Sequence, residues 1–286
     1  MSRKTWNSCP ATGSVRRMSG MFRVGDAAYD DFMGRYSVRL APLFADFAGV
    51  RDGDRALDVG AGTGALTAEL RRRGAIATAV EPSPEFVAAL RQRFDDVHQA
   101  PAEELPFPDA TFDVALAQLV VAFMTDAPRG VAEMARVAGS VAVCMWGVAE
   151  MEMFAAIERT STTLGVERGE LGARRYRTPG ELRDLLAPLG EVESAELDVT
   201  AGYADFAEFW RALSGQVGPA GAWLAALDEQ QRAAAHAEMF RQLGSPDGAF
   251  ELTGRCYAAR VSTEARSAPV PRSDTSTSSS ASTKST

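Results

Sequence analysis

Lysine is nearly missing from this chain. Of 30 basic residues only Lys4 and Lys284 are lysines, and both stand close to an end. A Schiff base, a phosphate-loop lysine and a Tyr–Lys proton relay are therefore unavailable to the folded part. Histidine occurs only at His98 and His236, and cysteine only at Cys9, Cys144 and Cys256. No pair among them has metal-ligand spacing, which argues against a zinc or iron–sulfur centre. So few cysteines without a pairing pattern fit a reducing cytoplasm. A G-x-S-x-G elbow is also lacking, which removes the usual serine hydrolase. The longest apolar run, Val114 to Met124, falls well short of a membrane span. Met1 to Gly20 holds Arg16-Arg17 but no apolar stretch, so neither a secretory nor a twin-arginine leader is expected there. A net charge of −8 argues against general nucleic-acid binding, which needs a basic face. The short cluster Arg71-Arg72-Arg73 reads as a solvated helix end.

What is present centres on Leu57 to Thr67. The apolar run Ala56 to Val59 leads into Gly60, Gly62 and Gly64, and a helix-period segment, Ala65 to Arg72, follows at once. That order predicts strand, tight turn and helix, with the turn stripped of Cβ atoms where a ligand could lie against the backbone. A second apolar run, Ala75 to Val80, ends in Glu81, 21 residues after Gly60. A carboxylate there belongs at the C-terminal edge of a parallel sheet, where two ribose hydroxyls are its natural partners.

Gly60, Gly62 and Ala65 also satisfy the dinucleotide fingerprint, so an NAD(P)-dependent reductase with a Rossmann domain is a rival reading. Three features oppose it. Asp58 would set a like charge beside a pyrophosphate, whereas it suits a cation such as an amino-acid ammonium group. About fifty residues precede the first strand. The Tyr-x-x-x-Lys pair or catalytic histidine that many reductases need is barely represented. Methyl transfer from a sulfonium asks less of side chains, because its leaving group is already activated and the protein mainly aligns the reactants.

The segment Asp58-Val59-Gly60-Ala61-Gly62-Thr63-Gly64 resembles motif I of the class I S-adenosylmethionine-dependent methyltransferases. Leu105 to Asp113 (LPFPDATFD) is similar to a signature of the ubiquinone/menaquinone-type subgroup, and Ala27 to Tyr36 looks like its N-terminal cap helix. The likeness runs from about Asp26 to Arg260. It implies a Rossmann-like α/β fold with a seven-stranded, mostly parallel sheet, helices on both faces and an antiparallel last strand. It also implies S-adenosyl-L-methionine as cofactor and a small-molecule methyl acceptor as partner.

Carried over residue by residue, it implies that Gly60, Ala61 and Gly62 admit the methionine portion, with Asp58 near its ammonium group. Glu81 would hold the ribose, Pro82 would lie on the adenine, and Ala102 and Glu103 would border the adenine edge. Gln118 would face the sulfonium, and Tyr29 and Arg35 would close over the methionine carboxylate. Arg35 could equally be part of a solvated helix face. The chain departs from its relatives at Pro101, where an acid is common, and at Ala122, where some carry a histidine. Arg136 to Ser140 lacks the usual Pro-Gly pair, which predicts a short, strained connection. No general base is assigned; Glu103, Glu104 and Gln118 are candidates by position alone. A non-catalytic S-adenosylmethionine-binding protein therefore stands as a further alternative.

At 286 residues the chain can hold one large α/β domain. The expected organisation is a disordered extension over 1–20, a methyltransferase domain over 21–261 with its cap helix at 26–49, and a disordered Ser/Thr-rich tail over 262–286. Helices are predicted at 27–48, 64–73, 84–93, 127–137, 152–164 and 179–188. Strands are predicted at 55–59, 76–80, 96–99, 112–118, 140–146, 191–200 and 249–260. Two segments, 148–178 and 201–249, exceed a minimal fold and are assigned to substrate specificity. The second is read as helices at 205–213 and 228–243 joined by Val217 to Gly221. Its aromatics Tyr203, Phe206, Phe209, Trp210 and Trp223 suit either a core or the wall of an apolar pocket.

Overall fold

Short apolar runs become the central strands of one seven-stranded sheet. The computed structural model describes residues 30–166, 175–215 and 218–263. The extension expected over 1–20, Tyr29, residues 264–286 of the expected tail and parts of the 148–178 and 201–249 segments lie outside the described residues, while Ser262, expected in the tail, ends a strand. Strands β1 (Arg55–Val59), β2 (Ile76–Glu81), β3 (Val97–Gln99), β4 (Val114–Gln118) and β5 (Ser140–Met151) run parallel in the order β3-β2-β1-β4-β5. Beyond β5 the order continues with β7 (Phe250–Ser262), antiparallel to both neighbours, and then β6 (Val192–Tyr203). The chain leaves β1 to one side for β2 and returns to its other side as β4. The crevice beyond the C-terminal ends of β1 and β4 is therefore the topological switch point at which such sheets take ligands.

Helices cover both faces. On one, α1 (Arg35–Ala48), which follows a single π turn at Asp30–Gly34, and α2 (Ala65–Arg72) share a core with Leu116, Ala142 and Cys144. On the other, α4 (Ala127–Val137) and α6 (Pro179–Leu186) share a core with Leu57, Ala115, Val141 and Val143. The smaller α3 (Pro84–Leu90) covers the β2–β3 edge, where Val87 and Leu90 pack with Ala79 and Val97. Polar caps fix several starts. Asp126 accepts from the N–H of Arg129, and Thr178 with Glu181, like Asp228 with Gln231, forms a reciprocal capping box.

The two larger segments add α5 (Glu152–Leu164), α7 (Phe206–Leu213), α8 (Gly218–Ala226) and α9 (Glu229–Gln242). Helix α8 corrects the expectation of a plain Val217–Gly221 connection. Pro is tolerated in a helix's first turn, so Gly218-Pro219 opens a helix there rather than a loop, and Trp223 and Leu224 bury its apolar side. Strand β5 passes its predicted end at residue 146 through a register shift and re-pairs Met151 with Gly254. The connection at 138–140 is not strained. Ala138 is extended, with φ −134°, and bridges Phe112, while the N–H of Gly139 reaches the Phe112 carbonyl at 3.1 Å.

Candidate functional site

The turn after β1 is held by the neighbouring strand. The N–H groups of Gly60 and Ala61 both donate to the Val80 carbonyl, at 2.7 and 3.0 Å. Gly60 has φ +73°, and a Cβ there would press into the Val120 side chain at 2.6 Å. Gly62 has φ +55°, but the space where its Cβ would stand is open. The turn therefore needs glycine for its backbone and leaves one side bare for a ligand.

Two carboxylates flank it. Asp58, on β1, is 1% exposed, and its Oδ2 accepts from the Thr67 hydroxyl at 2.6 Å. Burial pushes its pKa up to about 7 against the opposing Thr67 hydrogen bonds, with a smaller upward push from Glu81. Glu81 ends β2 and is 6% exposed. Its Oε2 accepts from the Gly62 N–H at 3.0 Å and its Oε1 from the Ser83 N–H at 2.9 Å. Burial raises its pKa while those two backbone donors oppose the rise. Each oxygen keeps a lone pair for a further donor.

Asp58, Gly60, Ala61, Gly62, Glu81, Pro82, Ala102, Glu103 and Gln118 all line one cavity of about 830 Å³. That volume lies high in the range of about 300–1,000 Å³ typical of ligand pockets. Within its wall Glu103 Oε1 accepts from the Asp126 N–H at 2.9 Å. Gln118 Nε2 donates to the Ser37 carbonyl of α1 at 3.1 Å, and Gln118 Oε1 is buried without a partner among the described residues. Pro101, Glu104 and Leu119 also line the cavity, the last with φ +63° at the end of β4.

Arg35 does not belong to this group. Its guanidinium donates to the carbonyls of Asp31 and Gly202, pairs with Glu208 Oε1 at 3.0 Å and stacks over Tyr203. It ties α1 to β6 and α7, outside the lining of the cavity. The expectation that it closes over a ligand carboxylate is corrected: a carboxylate and two carbonyls of the chain itself already engage it. Tyr29 lies outside the described residues.

The LPFPDATFD signature holds the frame together rather than touching the cavity. The N–H of Arg55 on β1 donates to Asp113 Oδ2 at 2.8 Å, and the Arg55 guanidinium pairs with the same carboxylate. Arg136 on α4 gathers the carbonyls of Leu105 and Phe107 together with the Asp109 carboxylate.

Sequence reasoning named none of the cavity's apolar members, Phe32, Phe123, Trp146, Val148, Phe154 and Ile157 among others, nor its charged member Arg177. Val148, Phe154, Ile157 and Arg177 nonetheless fall in the 148–178 segment that it assigned to substrate specificity. Trp146 was findable, since it stands on β5 two residues beyond Cys144, the partner of Gln118 in the sheet. Val148 stands on β5 with Trp146, Phe154 and Ile157 lie three residues apart on α5, and Phe32 and Phe123 come from short turns elsewhere in the chain. Tyr203, Phe206, Phe209 and Trp223 are core, Trp210 packs against that core, and none lines the cavity. Neither histidine lines it: His98 pairs with Asp96, and His236 packs edge-on to Phe206 and Trp210.

A family model described as a methyltransferase domain matches residues 57–143. The chain is 32% identical over 154 residues to a phosphatidylethanolamine N-methyltransferase of Cereibacter sphaeroides, covering 49% of this chain and 75% of that protein. It is 37% identical over 87 residues to a malonyl-[acyl-carrier protein] O-methyltransferase of Serratia marcescens, covering 30% of this chain and only 34% of that protein. Among solved structures, one described as a type II methyltransferase from Anaeromyxobacter dehalogenans superposes with a TM-score of 0.59 at 24% identity. It covers 78% of this chain and 95% of that one, which is a likeness of fold.

Proposed function

Because the chain belongs to the class I S-adenosylmethionine-dependent methyltransferases, we propose that the 830 Å³ cavity holds the methyl donor at its acidic end and a small-molecule acceptor at its apolar end. The observation that carries this reading is Glu81, buried at the tip of β2 with both oxygens oriented by backbone N–H groups beside the glycine turn.

S-adenosylmethionine supplies a methyl group on a positively charged sulfur, already activated for displacement. The residues fit it. Glu81 accepts the two ribose hydroxyls while keeping its bonds to Gly62 and Ser83. Gly60, Ala61 and Gly62 let the methionine portion approach the bare side of the turn. Asp58, whose buried carboxyl titrates near pH 7, is stabilised in its charged form by an ammonium group. Pro82, Ala102 and Glu103 bound the adenine. Gln118 stands at the end of β4 between the two halves, its amide nitrogen held by Ser37. The acceptor side of the wall is apolar, which excludes water and leaves orientation as the main source of rate. A reductase reading fits less well: Glu81 would serve a dinucleotide's ribose equally, but a pyrophosphate on this turn would meet the like charge of Asp58.

Incubation with methyl-labelled S-adenosylmethionine and a cell extract, followed by mass spectrometry of small molecules, tests the reading. Label in a small molecule is the expected result. Donor binding without transfer to any acceptor would instead favour a non-catalytic binding protein.

A further inference from the structure

Most charged side chains lining the cavity are acidic. Asp58, Glu81, Glu85, Glu103, Glu104 and Asp126 come from β1, β2, α3 and the turns after β3 and β4. The cations are Arg129 and Arg177. Arg129 is exposed on the first turn of α4, its N–H on Asp126, and its charge helps to hold Glu133 ionised. Arg177 differs. It stands just before α6, whose Leu182 and Leu186 pack with Val141, Ala259 and Val261, on the far side of β5 from β1 and β2. It is partly buried, and burial lowers its pKa from the ordinary value. No side chain among the described residues bonds to its guanidinium. The charge that acts on it, Glu181, is engaged by the N–H groups of Arg177 and Thr178 in capping α6.

Partial burial disfavours the charge of this guanidinium, and an anion entering the cavity would offset that cost. Its planar fork matches a carboxylate with two parallel hydrogen bonds. One fork balances one negative charge, so a phosphate dianion would be left undercompensated. We propose that Arg177 is a specificity-determining residue that anchors the acceptor through a single carboxylate, and that the acceptor is an otherwise apolar acid. The apolar body lies against Trp146, Val148, Phe154 and Ile157. This rests on the reading of the cavity as a methyltransferase site and names its substrate class.

The test separates the two. The protein is first titrated with S-adenosylhomocysteine by calorimetry; absence of binding would remove the donor site itself. The loaded protein is then titrated with 2-naphthoate and decanoate, each against its methyl ester. At least one acid is expected to bind about ten-fold or more tightly than its ester. Arg177→Gln should abolish that preference, and Arg177→Lys should retain part of it, while S-adenosylhomocysteine affinity stays within two-fold as a check on folding. Equal binding of acid and ester, binding of neither, or a preference that survives in Arg177→Gln would each overturn the proposal with the donor site intact.

Discussion

At the scale of the residue, Asp58 makes the sharpest prediction, because its carboxyl titrates near pH 7 in the folded chain. The unfolded carboxyl titrates near pH 4, at about 3.9. Between those values the folded chain holds a proton that the unfolded chain has lost. Stability therefore falls as pH rises through that window and levels off above it. Urea melts across pH 4–8 should show this slope, and Asp58→Asn should flatten it; an equal slope in the variant would place the titration elsewhere. Binding has the opposite sign. An ammonium group beside Asp58 favours the ionised form, so donor affinity should rise as pH passes through about 7, with proton release measurable by calorimetry in buffers of different ionisation enthalpy. Asp58→Asn should lose that release. Proton release of equal size in the variant would deny Asp58 its part in holding the ligand's cation.

At the scale of the element, the cap helix α1 is fixed by Arg35 rather than by a ligand. Arg35→Ala removes its bonds to Gly202 and Glu208 in a setting where the two side chains are 17% and 29% exposed. A stability loss of about 1–3 kcal/mol is expected, with S-adenosylhomocysteine affinity within two-fold of the parent. A large loss of affinity with unchanged stability would restore Arg35 to the site. The elements themselves were largely legible. Helices α4 and α5 occupy their predicted residues because the apolar period agrees with a cap at one end of each, Asp126 at the start of α4 and left-handed Gly165 at the end of α5. The reading failed where local signals pointed the wrong way. Gly218-Pro219 looks like a loop until tertiary burial of Trp223 and Leu224 decides for a helix. The expectation for Arg35 failed because its partners, Gly202 and Glu208, are 167 and 173 residues away. The same distance in sequence hides the apolar wall of the cavity, where Phe32 before α1 and Phe123 after β4 meet the Trp146–Ile157 stretch.

At the scale of the whole molecule, the order of the strands brings distant residues together. Motif I ends β1, Glu81 ends β2 and Gln118 ends β4, so three separate stretches meet at one switch point. That half of the candidate site was readable, since parallel strands place their C-terminal residues at a common edge. Among the described residues no helix is long and apolar enough to cross a membrane. S-adenosylmethionine at one hundred times its dissociation constant should add about 2.7 kcal/mol and raise the melting temperature by about 5 °C. NADH should leave it unchanged, and a shift with NADH alone would revive the reductase. The most direct measurement is calorimetric titration of S-adenosylhomocysteine into the parent chain and Glu81→Ala. Loss of the ribose grip predicts a weakening of about 2–4 kcal/mol. Equal affinity in the two proteins would contradict the account.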